Sequence, residues 1–230
     1  MVWSCLVSIL PGMAQTEKLT DYVNPFVGTD GYGNVYPGAQ IPFGGIQISP
    51  DTDSRFYDAA SGYKYNHLTL MGFSLTHLSG TGIPDLGDFL FIPGTGEMKL
   101  EPGTHEDPDQ GYRSRYSHDK EWASPNYYAV ELADYGVKAE MTSGVRSGMF
   151  RFTYPESDNA FIMIDMNHTL WQSCEWSNLR MINDSTITGY KLVKGWGPER
   201  HVYFTATFSK KLTGLRFVQD KKPVIYNTSR

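Results

Sequence analysis

Apolar and polar residues alternate with a period of two along much of this chain. Val137, Ala139 and Met141 alternate with Lys138 and Glu140, and Val202, Phe204, Ala206 and Phe208 alternate with His201, Tyr203, Thr205 and Thr207. Tyr128, Val130 and Leu132 share one face of a third segment. Successive side chains of an extended strand point to opposite sides, so this spacing predicts half-buried strands. The runs 89–92 and 161–164 are short and continuously apolar, the pattern of strands covered on both faces. Turn formers separate these segments: Pro93-Gly94, Pro102-Gly103, Asp134-Tyr135-Gly136 and the cluster from Pro155 to Asn159. A helical period is nowhere sustained for three turns, and residues 171–181 have room for one short helix at most. Many short strands between frequent turns predict an all-β fold, an antiparallel β-sandwich.

Composition narrows the picture. The 230 residues suffice for one large all-β domain or two small ones, and 40% apolar content can build a sizeable core. No internal repeat or low-complexity linker divides the chain. The net charge of −5 comes from interspersed acids and bases, with no basic stripe for nucleic acid. Residues 1–14 read as a secretory signal. Val2, Trp3, Leu6, Val7, Ile9 and Leu10 form an apolar run too short to span a bilayer, and Gly12-Met13-Ala14 offers a cleavage site. No Lys or Arg precedes the run. Export predicts a periplasmic or secreted protein with no membrane span. Residues 15–230 then form the sandwich. Strand-like Val224-Ile225-Tyr226 lies almost at the end, so the domain reads as truncated there. Cys5 would leave with the signal, and Cys174 would have no partner for a disulfide.

Residues 21–50 and 61–88 differ in character, being dense in Gly, Pro, Asn, Asp, Ser and Thr. Gly28, Gly31, Gly33, Gly38, Gly44 and Gly45 fall within eighteen residues, more than hairpin turns need. Such a loop either makes tight turns or brings backbone close to a ligand. A phosphate loop is excluded, because no Gly-Lys-Ser/Thr follows the glycines.

The same segments carry a resemblance. Asp21-Tyr22-Val23-Asn24-Pro25-Phe26-Val27-Gly28-Thr29, Tyr36-Pro37-Gly38-Ala39 and Ile41-Pro42-Phe43-Gly44 resemble the start of glycoside hydrolase family 92 enzymes. Gln47-Ile48-Ser49-Pro50-Asp51-Thr52, Ser61-Gly62-Tyr63-Lys64-Tyr65, the run from Gly72 to Gly82, Asp85-Leu86-Gly87-Asp88 and the run from Gly195 to Phe204 follow in the family's order. The resemblance implies the N-terminal β-sandwich of a two-domain, calcium-dependent exo-α-mannosidase that acts with inversion and trims mannose from glycans. It also implies a C-terminal (α/α)6 catalytic domain as partner, carrying the general acid, the general base and most calcium contacts. Leu75 and the loop from Gly31 to Tyr36 stand where relatives often have His. Phe56 and Tyr57 are the nearest aromatics where relatives often have Trp.

Inversion needs two carboxyl groups about 6.5–9.5 Å apart. Asp85 and Asp88 share a glycine-interrupted loop, but apart from the adjacent Leu86 and Phe89 neither sits in an evidently apolar pocket that would raise a pKa, and loop-shaping acceptor roles suit them better. Neutral His77 offers one donor and one acceptor, which suits either a sugar hydroxyl or a buried backbone partner. Ser79 offers a hydroxyl or a loop cap. Ser79, His77 and Asp85 lack the strand-to-helix elbow of a serine hydrolase. Asp51-Thr52-Asp53-Ser54 has acidic spacing without the rest of an EF-hand loop, and no calcium site formed by this chain alone is expected. Among the aromatics, Tyr57, Tyr63 and Trp196 are candidate walls of a sugar pocket, while Tyr65 is expected to be buried. The candidate substrate-binding set is therefore Tyr57, Tyr63, His77, Ser79, Asp85, Asp88 and Trp196. No catalytic residue and no metal ligand is assigned to this chain. Three readings remain: a domain that shapes the pocket of a mannosidase, a stand-alone carbohydrate-binding module, or a glycosidase using its own aspartates.

Overall fold

The computed structural model describes residues 17–54, 57–219 and 222–224. The signal reading for residues 1–14, with Cys5, and the end at Ile225-Tyr226 lie outside these residues. Among the described residues, fifteen strands and four short 3-10 turns make up the regular structure, with no α-helix. In chain order the first strands are β1 (Ser49–Asp51), β2 (Thr69–Leu70), β3 (Gly72–Ser74), β4 (Leu90–Thr95) and β5 (Ser114–Arg115). Then come β6 (Glu121–Ser124), β7 (Tyr127–Leu132), β8 (Val137–Ser143), β9 (Gly148–Thr153) and β10 (Ala160–Asp165). The series closes with β11 (Ser173–Asn183), β12 (Thr186–Lys194), β13 (Arg200–Thr207), β14 (Phe217–Gln219) and β15 (Lys222–Val224).

Two four-stranded antiparallel sheets, β6-β7-β8-β9 and β1-β3-β4-β10, pack face to face as the expected β-sandwich. The alternation read from the sequence sets the register. Tyr128 faces Met141, Val130 faces Ala139 and Leu132 faces Val137, so all six side chains point to one side and are buried. They meet Ile48, Leu70 and Phe73 from the opposite layer. The Phe73 ring, fully buried, lies 6.4 Å from the ring of Phe150 and 6.3 Å from that of Phe152. A third sheet, β11-β12-β13, joins through Phe204, whose ring is 4.5 Å from that of Phe89 and 6.0 Å from that of Phe91.

Two expectations are corrected. Residues 171–181 are largely strand β11 rather than a short helix. Cys174 pairs with Val193 and Trp176 with Leu192, leaving Glu175 as a bulge that breaks the period-two pattern. Phe89–Ile92 is buried as expected, but residues 161–164 are only half-buried. Strand β10 pairs with β4 alone and forms the edge of its sheet, so one flank lacks a neighbour among the described residues.

Phe73 fills the centre of the sandwich, and truncating it leaves a cavity that the two sheets cannot close. Phe73→Ala should lower the unfolding free energy by about 3–5 kcal/mol. Urea denaturation, with an unchanged slope, is the measurement that checks this.

Candidate functional site

The polar loops converge on a chain of buried charges that crosses from one sheet to the next. At its centre is Asp51, the last residue of β1, with no solvent exposure. His77 Nε2 meets its Oδ1 at 2.7 Å, and His168 Nε2 meets its Oδ2 at 2.7 Å. Ser74 Oγ is 3.0 Å from the same His77 nitrogen, and His77 Nδ1 faces the Gln47 carbonyl at 2.7 Å. Burial opposes ionisation of Asp51, but the two imidazoles outweigh it, and its carboxyl lies well below the usual range. Gly62 is required beside it. Its φ is +86°, and a Cβ there would sit 2.2 Å from Asp51 Oδ1.

The second centre is Asp88, also fully buried. Lys191 Nζ, fully buried on β12, forms an ion pair with Oδ1 at 3.1 Å. Arg200 Nη1 donates to Oδ2, and Thr76 Oγ1 donates to the same oxygen at 2.7 Å. Burial again opposes ionisation, but Lys191 and Arg200 hold the carboxyl below its ordinary value. Burial lowers Lys191 despite its partner. The Lys191 ammonium also donates to the His168 carbonyl at 2.6 Å. That contact links the two centres into one line: Arg200, Asp88, Lys191, His168, Asp51, His77.

Asp85 is buried and pins two loops. Its Oδ1 accepts from the Leu86 N–H at 2.6 Å, and its Oδ2 accepts from the Trp196 N–H at 3.1 Å. Arg200 Nη2 stands 4.0 Å away. The backbone here is contorted: φ is +74° at Leu86, +74° at Gly87 and +57° at Phe89. Left-handed geometry at Leu and Phe costs about 1–3 kcal/mol each and persists only where surrounding contacts impose it. The Gly87 N–H donates to the Thr76 carbonyl and the Leu75 N–H to that of Asp88, which supplies those contacts.

The structure thus brings His77, Asp85 and Asp88 together as buried scaffold, with their polar atoms turned toward protein partners. Tyr63 is buried in the core and its hydroxyl donates to Glu121 at 2.9 Å, away from any surface a sugar could reach. Ser79 is exposed. Tyr57 and Trp196 are exposed, at 56% and 57%. Tyr65, expected to be buried, is 36% exposed and stacks on His118 with centroids 3.9 Å apart. The sequence reading did not select His168, Lys191, Arg200 or Trp171. Trp171, 56% exposed with a φ of +79°, lies beside Tyr57 at a centroid distance of 5.6 Å. A shallow groove elsewhere, between Leu19, Val23, Ile41 and Pro125, contains no titratable side chain.

Calcium needs six to eight oxygen ligands. Among the described residues no three or more His, Cys, Asp or Glu side chains are grouped to hold a metal. Asp51, Asp85 and Asp88 spend their oxygens on imidazoles, backbone amides and cationic side chains. This donor set does not fit a calcium ion.

Fold and site together define an antiparallel β-sandwich domain that presents a rigid, aromatic-edged loop face over a locked charge network. Over residues 22–230 the chain matches the sequence model of the glycosyl hydrolase family 92 N-terminal domain, and it belongs to that family. It is 30% identical over 139 residues to a protein of Arthroderma benhamiae named as an uncharacterized secreted glycosidase, covering 60% of this chain and 17% of that one. The solved structure of the gh92 family glycosyl hydrolase ccman5 superposes with a TM-score of 0.73 at 28% identity, covering 89% of this chain and 28% of that one. The chain therefore spans less than a third of either relative's length.

Two outcomes follow from the charge network. Asp51 has a depressed carboxyl pKa in the folded state, so its stabilisation is present above the unfolded value of about 3.9 and is lost as pH falls below it. Urea midpoints measured between neutral pH and pH 2 should drop on the acid side, and Asp51→Asn should flatten that limb while lowering stability at neutral pH. Lys191→Met leaves Asp88 with one cation instead of two, and should cost about 3–5 kcal/mol by the same denaturation.

Proposed function

We propose that this chain is the pocket-shaping N-terminal domain of an inverting exo-α-mannosidase that trims mannose from glycans. Its loops meet an (α/α)6 catalytic domain, which supplies the general acid, the general base and the calcium contacts. One observation carries the reading. The buried carboxylates Asp51, Asp85 and Asp88 each have partners for both oxygens, so no pair among these three is free to protonate a leaving oxygen and activate water. Asp85 and Asp88 in particular are structural acceptors, not an acid/base pair. Family membership supports the glycosidase context. The name of the secreted relative supports export, periplasmic or extracellular, and the described residues contain no helix long and apolar enough to cross a membrane.

A second reading, a carbohydrate-binding module without catalysis, is favoured by one feature. Tyr57, Trp171 and Trp196 are each more than half exposed on the loop face. One assay separates the readings. An aryl α-mannoside is offered with calcium to this chain alone and to the protein joined to its catalytic domain. The expected result is no turnover by the chain alone, and turnover by the joined protein that releases β-mannose first and stops on calcium chelation. Turnover by the chain alone, abolished in Asp85→Asn or Asp88→Asn, would overturn the proposal. Mannose binding with no turnover in either form would establish the second reading.

A further inference from the structure

An antiparallel sheet with one wet face keeps apolar side chains inward and polar ones outward. The third sheet, β11-β12-β13, does not follow that rule. Its inner face is fully used. Phe204 packs on Phe89 and Phe91, Lys191 reaches Asp88, and a Cβ at Gly189 would lie 2.1 Å from the Phe204 ring. Its outer face is aromatic. Tyr190 pairs with Tyr203, and Leu192 lies between Trp176 and His201 in the ladder. The Tyr190 ring stands 5.2 Å from that of Trp176, 4.7 Å from that of Tyr203 and 5.9 Å from that of His201. This band crosses all three strands, yet Trp176 is 55% and Tyr203 68% exposed. Arg180, on the same face, is exposed with no ion-pair partner among the described residues. Large apolar groups on both sides of a sheet mark a middle layer, not an outer surface.

Area and chain path decide what covers this face. Strand spacing and rise give it about 400 Å². Two copies face to face would then bury about 800 Å², short of the roughly 1,200 Å² that a stable pair needs. A layer tethered to the sheet escapes most of the translational and rotational cost of association, so a smaller area holds it. The chain supplies a tether at this place. After β13 it turns back over the tip of the β11-β12 hairpin. There the Phe208 N–H donates to the Ser185 carbonyl at 2.8 Å, the Leu212 N–H donates to the Asp184 carbonyl at 2.7 Å, and Lys211 pairs with the Asp184 carboxylate at 2.7 Å. The polypeptide that follows β13 therefore sets out from the end of this face. The matched span is less than a third of either relative's length, and the rest of such a protein holds ample chain for a further layer.

We propose that the outer face of β11-β12-β13 is an intramolecular docking surface, covered by a layer from the remainder of the same polypeptide. That layer sets apolar groups on Trp176, Tyr190 and Tyr203 and a carboxylate opposite Arg180. Burying the guanidinium without an opposite charge would be costly, so the covering layer brings an acid. The surface is separate from the loop face around Asp51 and Asp88. The proposal rests on the reading of this chain as one domain of a longer glycosidase, and on nothing about the sugar that enzyme takes.

Hydroxyl-radical labelling read by mass spectrometry tests it, at equal radical dose on this chain alone and on the protein joined to its catalytic domain. Trp176, Tyr190 and Tyr203 should label in the chain alone and about tenfold less in the joined protein, where the covering layer excludes water. Arg180→Glu should restore labelling of Tyr203 in the joined protein and change nothing in the chain alone. Phe89, buried under the inner face, should stay unlabelled throughout, which tells undocking apart from unfolding. Equal labelling of the three rings in the two proteins overturns the proposal. Protection in the chain alone, with a doubled mass by light scattering, overturns it in favour of a second copy. Protection in a joined protein that leaves an aryl α-mannoside intact keeps the docking surface and removes the mannosidase reading. Turnover of that substrate with the three rings still labelled does the reverse.

Discussion

The structure depends on one carboxylate held between two imidazoles. Asp51 closes β1 in the central sheet, His77 leads into the 85–89 loop, and His168 leads from β10 toward β11. Buried charge of this kind is costly unless every oxygen has a partner, and here each does. The imidazoles also fix direction. Because His168 passes the constraint to Lys191 through its carbonyl, and Lys191 to Asp88, the separation of the loops is set by hydrogen-bond lengths, not by soft apolar contacts. The network ties the loop face to the sandwich through directed bonds.

Much of the fold was legible in the sequence, and for a simple reason. Period-two alternation at 128–132, 137–141 and 202–206 is a direct record of which face meets the opposite layer, and the register confirms it residue by residue. The misreadings occurred where local pattern and tertiary position part. A bulge at Glu175 shifts the alternation by one and imitates a helical spacing. An apolar run at 161–164 cannot announce that its strand will lie at an edge.

The site was legible only in part. His77, Asp85 and Asp88 stood out because glycine-rich surroundings marked their loops. Their partners did not, since Lys191 and Arg200 sit over a hundred residues downstream, in strands whose alternation looked like ordinary sheet. Lys191 occupies an inward position between the buried Gly189 and Val193, and a lysine on the apolar face of a strand is the signal that could have exposed the network. Trp171 offered no such sign, because a left-handed φ at a non-glycine residue is imposed by contacts and is not written in the local sequence.

Strand β10 offers a further lesson. Its outer flank is a row of amides and carbonyls without a ladder partner among the described residues, and Phe161 and Met163 along it are only half-covered. Such a flank is a template for whatever extended peptide arrives first. On its own, a strand edge of this kind invites self-association along that rim.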